Sequence, residues 1–165
     1  LILVTGGIKS GKSTVALNKA LKYQTRAFLA TGVPFDEEMK ERIRRHQEER
    51  RNLFDTYEEP VEVSRVLRTI DGRYDVVVFE CLTTYLGNLY YYEVNVQEHL
   101  GKFIETLASM RTEVIIVTNE VGWGIIPENK LAREFAETLG KTNAKLAKLA
   151  SEVYLVVAGI EIRIK

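Results

Sequence analysis

Gly6-Gly7-Ile8-Lys9-Ser10-Gly11-Lys12-Ser13 follows directly on the apolar run Leu1-Ile2-Leu3-Val4. The order is strand, glycine-rich loop, helix start. The spacing G-x-x-x-x-G-K-S is the Walker A pattern. Its glycines let backbone N–H groups turn inward around phosphate oxygens. Lys12 can reach the β- and γ-phosphates as a point charge, and Ser13 can offer its hydroxyl to Mg²⁺. The helix that starts here aims its positive end at the same anion. A plain glycine turn would need neither the buried strand before it nor the helical pattern after it, so residues 6–13 read as a phosphate-binding loop.

The rest of the composition bounds what surrounds this loop. At 165 residues the chain suits one domain, residues 1–165, a nucleotide-binding unit with a sizeable core. Lys+Arg and Asp+Glu both number 23, so the formal net charge is zero. That argues against a chain-wide nucleic-acid binder; any basic site is local. The single cysteine, Cys81, forms no intrachain disulfide and fits a reducing cytoplasm. No apolar run has the length of a membrane span, and no signal peptide is expected.

Working outward, apolar β-type runs alternate with helical patterns, which predicts an α/β fold with a mainly parallel sheet. Helical spacing over 13–23 follows the loop, and 26–30 reads as a second strand ending in Thr31-Gly32-Val33-Pro34. Residues 35–51 read as a helix with acidic residues in the first turn and basic ones in the last. Residues 53–58 are a short strand or loop, and Pro60 is expected to start a helix reaching Ile70. The run 74–80 is a buried strand, 83–92 a helix or helical loop, 97–110 a helix, and 113–118 another buried strand. A long loop spans 119–129. A helix over 130–150, a strand over 153–157 and an antiparallel edge strand over 160–164 complete the pattern. In such a sheet ligands sit beyond the carboxyl ends of the strands. That collects the phosphate loop, Thr31-Gly32, Glu80 and the 119–129 loop.

Glu80 ends an apolar strand, where a Walker B carboxylate organises Mg²⁺ or touches the nucleotide; the plain alternative is a surface carboxylate. His46 is one of two histidines. It borders the Phe35, Met39, Ile43 stripe, with Arg42 and Arg50 one turn before and after it. Two nearby cations favour the neutral ring, which can attack phosphorus, while an exposed histidine on a charged helix is the plain alternative. His99 has no such setting. Gly122 and Gly124 bracket Trp123, either for close backbone approach to a ligand or as a tight connection with a packed Trp. Cys81 reads as packing, and Tyr90-Tyr91-Tyr92 as part core, part interface.

These segments resemble the bifunctional adenosylcobinamide kinase / adenosylcobinamide-phosphate guanylyltransferase family of cobalamin biosynthesis. The resemblance rests on Ile2-Leu3-Val4-Thr5-Gly6-Gly7 with the Walker A run, Arg42-Ile43-Arg44-Arg45-His46, Phe79-Glu80-Cys81-Leu82-Thr83-Thr84, the run from Val117-Thr118-Asn119-Glu120 through Pro127-Glu128-Asn129, and Val156-Val157-Ala158-Gly159-Ile160. It implies a P-loop NTPase (RecA-like) sheet and a propeller-like homotrimer. It implies that His46 attacks the α-phosphate of GTP, giving a GMP–histidine and pyrophosphate, and that adenosylcobinamide phosphate takes the GMP. The kinase half would phosphorylate the aminopropanol hydroxyl of adenosylcobinamide from ATP or GTP, with Lys12 as a catalytic charge. By matching position the nucleotide contacts would be Gly6, Gly7, Ile8, Lys9, Ser10, Gly11, Lys12, Ser13, Ala30, Thr31, Gly32, Gln47, Glu48, Glu49, Arg50, Glu58 and Glu80. Ser13 and Glu80 would hold Mg²⁺. Many relatives carry a second histidine just before the nucleophile, where this chain has Arg45.

Two other readings share the Walker A loop. One is a P-loop kinase of another small alcohol, with His46 structural. The other is a non-enzymatic nucleotide-dependent regulatory module whose 119–129 loop docks a partner.

Overall fold

The computed structural model describes residues 1–33, 37 and 52–165. The expected helix over 35–51, with His46, Gln47, Glu48, Glu49 and Arg50, lies outside the described residues.

The strands are β1 (Ile2–Gly6), β2 (Arg26–Ala30), β3 (Asp55–Glu58), β4 (Val76–Glu80), β5 (Glu113–Val117), β6 (Glu152–Val157) and β7 (Ile160–Arg163). The helices among the described residues are α1 (Lys12–Ala20), α2 (Val63–Ile70), α3 (Leu82–Tyr91), α4 (Val96–Ser109) and α5 (Lys130–Leu149). One seven-stranded sheet runs β3-β2-β4-β5-β1-β6-β7. Every neighbouring pair is parallel except β6 and β7, which form an antiparallel hairpin.

Strand alternation sends successive side chains to opposite faces, and in the five strands between the exposed edges β3 and β7 both faces are covered. Leu3, Ala27, Leu29, Val77, Phe79, Val114, Ile116 and Val153 point to the face covered by α2, α3, α4 and α5. Ile2, Val4, Phe28, Val76, Val78, Ile115, Val117 and Val156 point to the face where α1 packs Ala16 and Ala20. Small alanines let α1 lie close to the sheet, which brings its first turn to the end of β1. On the other face Phe79, Tyr85 and Phe103 meet with ring centroids 4.9 to 6.0 Å apart. That cluster fixes α3 and α4 against β4 and so holds the strand end that carries Glu80.

One expected boundary moves. Pro60 does not begin a helix: α2 starts at Val63. The Glu59 carboxylate accepts from the Val61 and Glu62 amides at 3.0 and 2.9 Å, and Pro60 gives its carbonyl to Asn88 Nδ2 at 3.0 Å. These bonds hold the segment as a turn before the helix.

Candidate active site

The phosphate loop takes its shape from two glycines at positive φ. Gly6 sits at +152°, and a Cβ there would stand 2.3 Å from the Val156 carbonyl oxygen. Gly11, at +99°, precedes α1, and a Cβ there would stand 3.2 Å from Gly159 Cα. The β6–β7 turn therefore presses on the loop, and the Gly159 amide donates to the Ser10 carbonyl at 2.8 Å.

Gly11 also leaves α1 without a side-chain cap. Helices α3, α4 and α5 are capped by Cys81, Asn95 and Asn129, which accept from the Thr84, Glu98 and Ala132 amides. Among the described residues no side chain of the N-cap residue caps α1, and no acidic residue lies in its first turn. A helix start without a side-chain cap behind a glycine loop has the chemistry to receive an anion. Lys12 is buried, with its Nζ donating to the Gly7 carbonyl, so the ammonium is folded into the loop. Gly7, Ile8 and Lys9 form the exposed rim.

Glu80 lies two strands from β1, with β5 between them. The gap is closed from above: Ser13 Oγ donates to Glu80 Oε1. Glu80 Oε2 is buried and has no hydrogen-bond partner among the described residues. A buried carboxylate oxygen without a donor is costly unless a cation or water completes it. The predicted Ser13–Glu80 pairing is thus brought together by the fold.

Strand register lines up further predicted residues. Glu58 pairs with Ala30, and Ala30 pairs with Glu80. Glu58 is exposed at the far edge strand. Thr31 is buried and serves the backbone: its hydroxyl accepts from the Cys81 amide at 3.0 Å and reaches the Glu80 and Cys81 carbonyls at 3.2 and 3.0 Å. Asn88 Nδ2 holds the Thr31 carbonyl at 2.8 Å. Together these bonds fix the turn between β4 and α3, which contains a cis Glu80–Cys81 peptide. Gly32 follows at the edge of this turn. Burial pushes the Cys81 thiol up, consistent with a capping and packing role rather than a nucleophile's.

The 119–129 loop leaves β5 beside the phosphate loop. The Glu120 amide donates to the Gly6 carbonyl at 3.1 Å. Glu120 Oε1 accepts from Thr5 Oγ1 at 2.7 Å and from Asn143 Nδ2 at 3.4 Å. Asn143 also takes the buried Thr118 hydroxyl at 2.8 Å and donates to the Asn119 carbonyl at 3.1 Å. Sequence reasoning gave Glu120 no role of its own. The signal was present, because it follows a buried strand as Glu80 ends one.

Farther out, Trp123 is 68% exposed, and a Cβ at Gly122 or Gly124 would meet no atom within 4 Å. The packed-Trp alternative is therefore not what the fold builds. Tyr90 packs on Phe135, as expected of the core part of the tyrosine run, while Tyr91 is exposed. Between α3, α5 and this loop lies an open apolar groove of about 630 Å³.

Known proteins share both the fold and the sequence. The flagellar accessory protein FlaH of Methanocaldococcus jannaschii superposes with a TM-score of 0.51 at 15% identity, over 99% of this chain and 77% of that one. A KaiC-like protein of Pyrococcus horikoshii OT3 gives 0.51 at 15%, over 93% and 70%. The architecture is thus a P-loop NTPase sheet with an antiparallel C-terminal strand. In sequence, the chain is 34% identical to the bifunctional adenosylcobalamin biosynthesis protein CobU of Escherichia coli K12, over 100% of this chain and 99% of that protein. The corresponding protein CobP of Pseudomonas aeruginosa is 29% identical over 99% and 96%. A family model described as cobinamide kinase / cobinamide phosphate guanyltransferase matches residues 2–164. With that match spanning both the phosphate loop and the 119–129 loop, the chain belongs to the cobinamide kinase / cobinamide phosphate guanyltransferase family.

Proposed function

We propose that this chain phosphorylates adenosylcobinamide and then transfers GMP from GTP to the phosphorylated product, in cobalamin biosynthesis. Full-length family membership carries the reading. The uncapped α1 start, Lys12 and the Ser13–Glu80 pair support it, because they supply what phosphoryl transfer needs: positioning and charge neutralisation.

In the kinase half the phosphate tail of the nucleotide lies along residues 6–13. The backbone amides of the loop and of the α1 start bind its oxygens, and Lys12 leaves the Gly7 carbonyl to bridge the terminal phosphates. Ser13 and Glu80 fit Mg²⁺ as hard oxygen donors, and the partnerless Glu80 Oε2 is the observation that favours a cation there. No cluster of three or more His, Cys, Asp or Glu among the described residues could hold a metal by itself, which suits an ion shared with phosphates and water. Bound Mg²⁺ would neutralise charge on those phosphates. ATP and GTP are both compatible with a loop that binds through phosphates.

In the transferase half, His46 is the nucleophile toward the GTP α-phosphorus, with Gln47, Glu48, Glu49 and Arg50 beside it. Ala30, Thr31, Gly32 and Glu58 complete the nucleotide contacts, with the buried Thr31, whose hydroxyl, amide and carbonyl are all engaged within the fold, shaping the segment. A homotrimer in the cytoplasm, formed by one nucleotide-binding domain per chain, is part of the same reading. No helix among the described residues is long and apolar enough to cross a membrane.

The test is labelling. Incubation with GTP labelled at the α-phosphate, followed by denaturation, should leave an acid-labile, base-stable label on the protein that His46→Asn abolishes. An unlabelled wild-type protein would refute the guanylyltransferase half, and turnover of adenosylcobinamide without label would leave a kinase alone.

A further inference from the structure

A kinase needs a group to receive the proton of the attacking hydroxyl, and the strand-end carboxylates can be compared one by one. Glu80 is engaged with Ser13, the pair to which the reading above gives the cation. Glu59 is spent on the Val61 and Glu62 amides. Glu58 stands on β3, four positions from β1 in the sheet. Glu120 is joined to the other end of the phosphate loop, through its amide to the Gly6 carbonyl at 3.1 Å.

Its side chain is held for acceptance. Oε1 receives the Thr5 hydroxyl at 2.7 Å and the Asn143 amide at 3.4 Å, so both donors fix the carboxylate plane from one side. Oε2 makes no hydrogen bond among the described residues, and Glu120 is half-buried rather than enclosed. The next residue, Val121, lines the open apolar groove with Tyr90, Tyr91, Pro127, Leu131 and Phe135. Glu120 is therefore hydrogen-bonded to the phosphate loop and next in the chain to a residue lining an open space large enough to admit part of a bulky acceptor.

We propose that Glu120 is the catalytic base of the phosphoryl-transfer step, with Thr5 and Asn143 as its positioning residues. This rests on the kinase reading above. The acceptor hydroxyl oxygen forms a bond to the γ-phosphorus, and the bond from that phosphorus to the β–γ bridging oxygen breaks. The bond's electron pair leaves with the nucleoside diphosphate, and the hydroxyl proton passes to Glu120 Oε2. A carboxylate oriented by two donors on one oxygen and open on the other is suited to this transfer.

The experiment follows transfer from γ-labelled ATP or GTP to adenosylcobinamide by the full chain. Glu120→Gln should lower kcat by about 100-fold or more, with the KM for adenosylcobinamide and the affinity for a fluorescent nucleotide analogue each within about threefold. Thr5→Val keeps the carboxylate but removes its shorter donor, and should lower kcat about tenfold. That second variant carries the test if Glu120→Gln does not fold. A kcat within about threefold of wild type in the folded variants would overturn the proposal, and so would a loss of nucleotide affinity as large as the loss of kcat. A wild-type protein that leaves adenosylcobinamide unphosphorylated would overturn the kinase reading itself.

Discussion

Ser13 Oγ donates to Glu80 Oε1 across the top of β5, so the first turn of α1 and the end of β4 meet although neither strand bearing them touches the other. The pair leaves Glu80 Oε2 buried and partnerless. Glu80→Gln preserves the shape and the contact with Ser13 but removes the charge. It should raise the Mg²⁺ concentration needed for half-maximal turnover by about 10–100-fold. A Mg²⁺ titration of phosphoryl transfer reads this directly, and an unchanged midpoint would move the metal site elsewhere.

Lys12→Ala should lower the kinase kcat by about 10²–10³-fold, because it removes the one buried cation of the phosphate loop. Steady-state kinetics with either nucleotide check this. An unchanged rate would refute the assignment of residues 6–13.

Gly6→Ala tests the fit between the loop and β6. The new Cβ would lie 2.3 Å from the Val156 carbonyl oxygen at a backbone φ of +152°. Backbone cannot yield as a flexible side chain can, so the substitution should cost about 1–3 kcal/mol of stability. Denaturant unfolding measures it.

Thr31→Val removes the hydroxyl that ties Thr31 to Glu80 and Cys81 and leaves the Cys81 amide without its acceptor. The expected destabilisation is about 1–3 kcal/mol. Because that turn aims Glu80, kcat should fall as well, whereas a variant with lower stability but full activity would make the turn purely structural.

Asp71 gives the pH dependence a sign. Its Oδ1 accepts from the Thr112 and Arg111 amides at 2.9 and 3.0 Å, and the Thr112 amide foremost holds its carboxyl below the usual carboxylate value. A carboxyl depressed in the folded state adds stability above its unfolded pKa of about 3.9 and loses it as pH falls through the folded value. Melting temperatures taken from about pH 6 down to about pH 3 should therefore fall more steeply for the wild type than for Asp71→Asn.

The parallel sheet was legible because each buried strand is a continuous apolar run: Val76 to Phe79 and Val114 to Val117 have no polar residue to confuse them. The phosphate loop was legible because its chemistry demands glycine and lysine at fixed spacing. Helix starts were less so. Pro60 suits a first helical turn, yet the Glu59 carboxylate and the Asn88 amide hold it outside one. The bonds joining Thr31, Cys81 and Asn88 leave no periodic trace, since the partners lie 50 and 57 positions apart. Glu120 follows a buried strand, but its ties to Thr5 and Asn143 lie 115 and 23 positions away and depend on the sheet order.

The same long separations say when during synthesis the site can exist. Residues 6–13 are made before the side chains they depend on: Glu80 is 67 positions behind Ser13, and Glu120 is 115 behind Thr5. Asn143 comes 23 positions later still. A nascent chain thus carries an unfinished phosphate loop while those residues are still to come, and nucleotide can be gripped by the whole network only after Asn143 has been added.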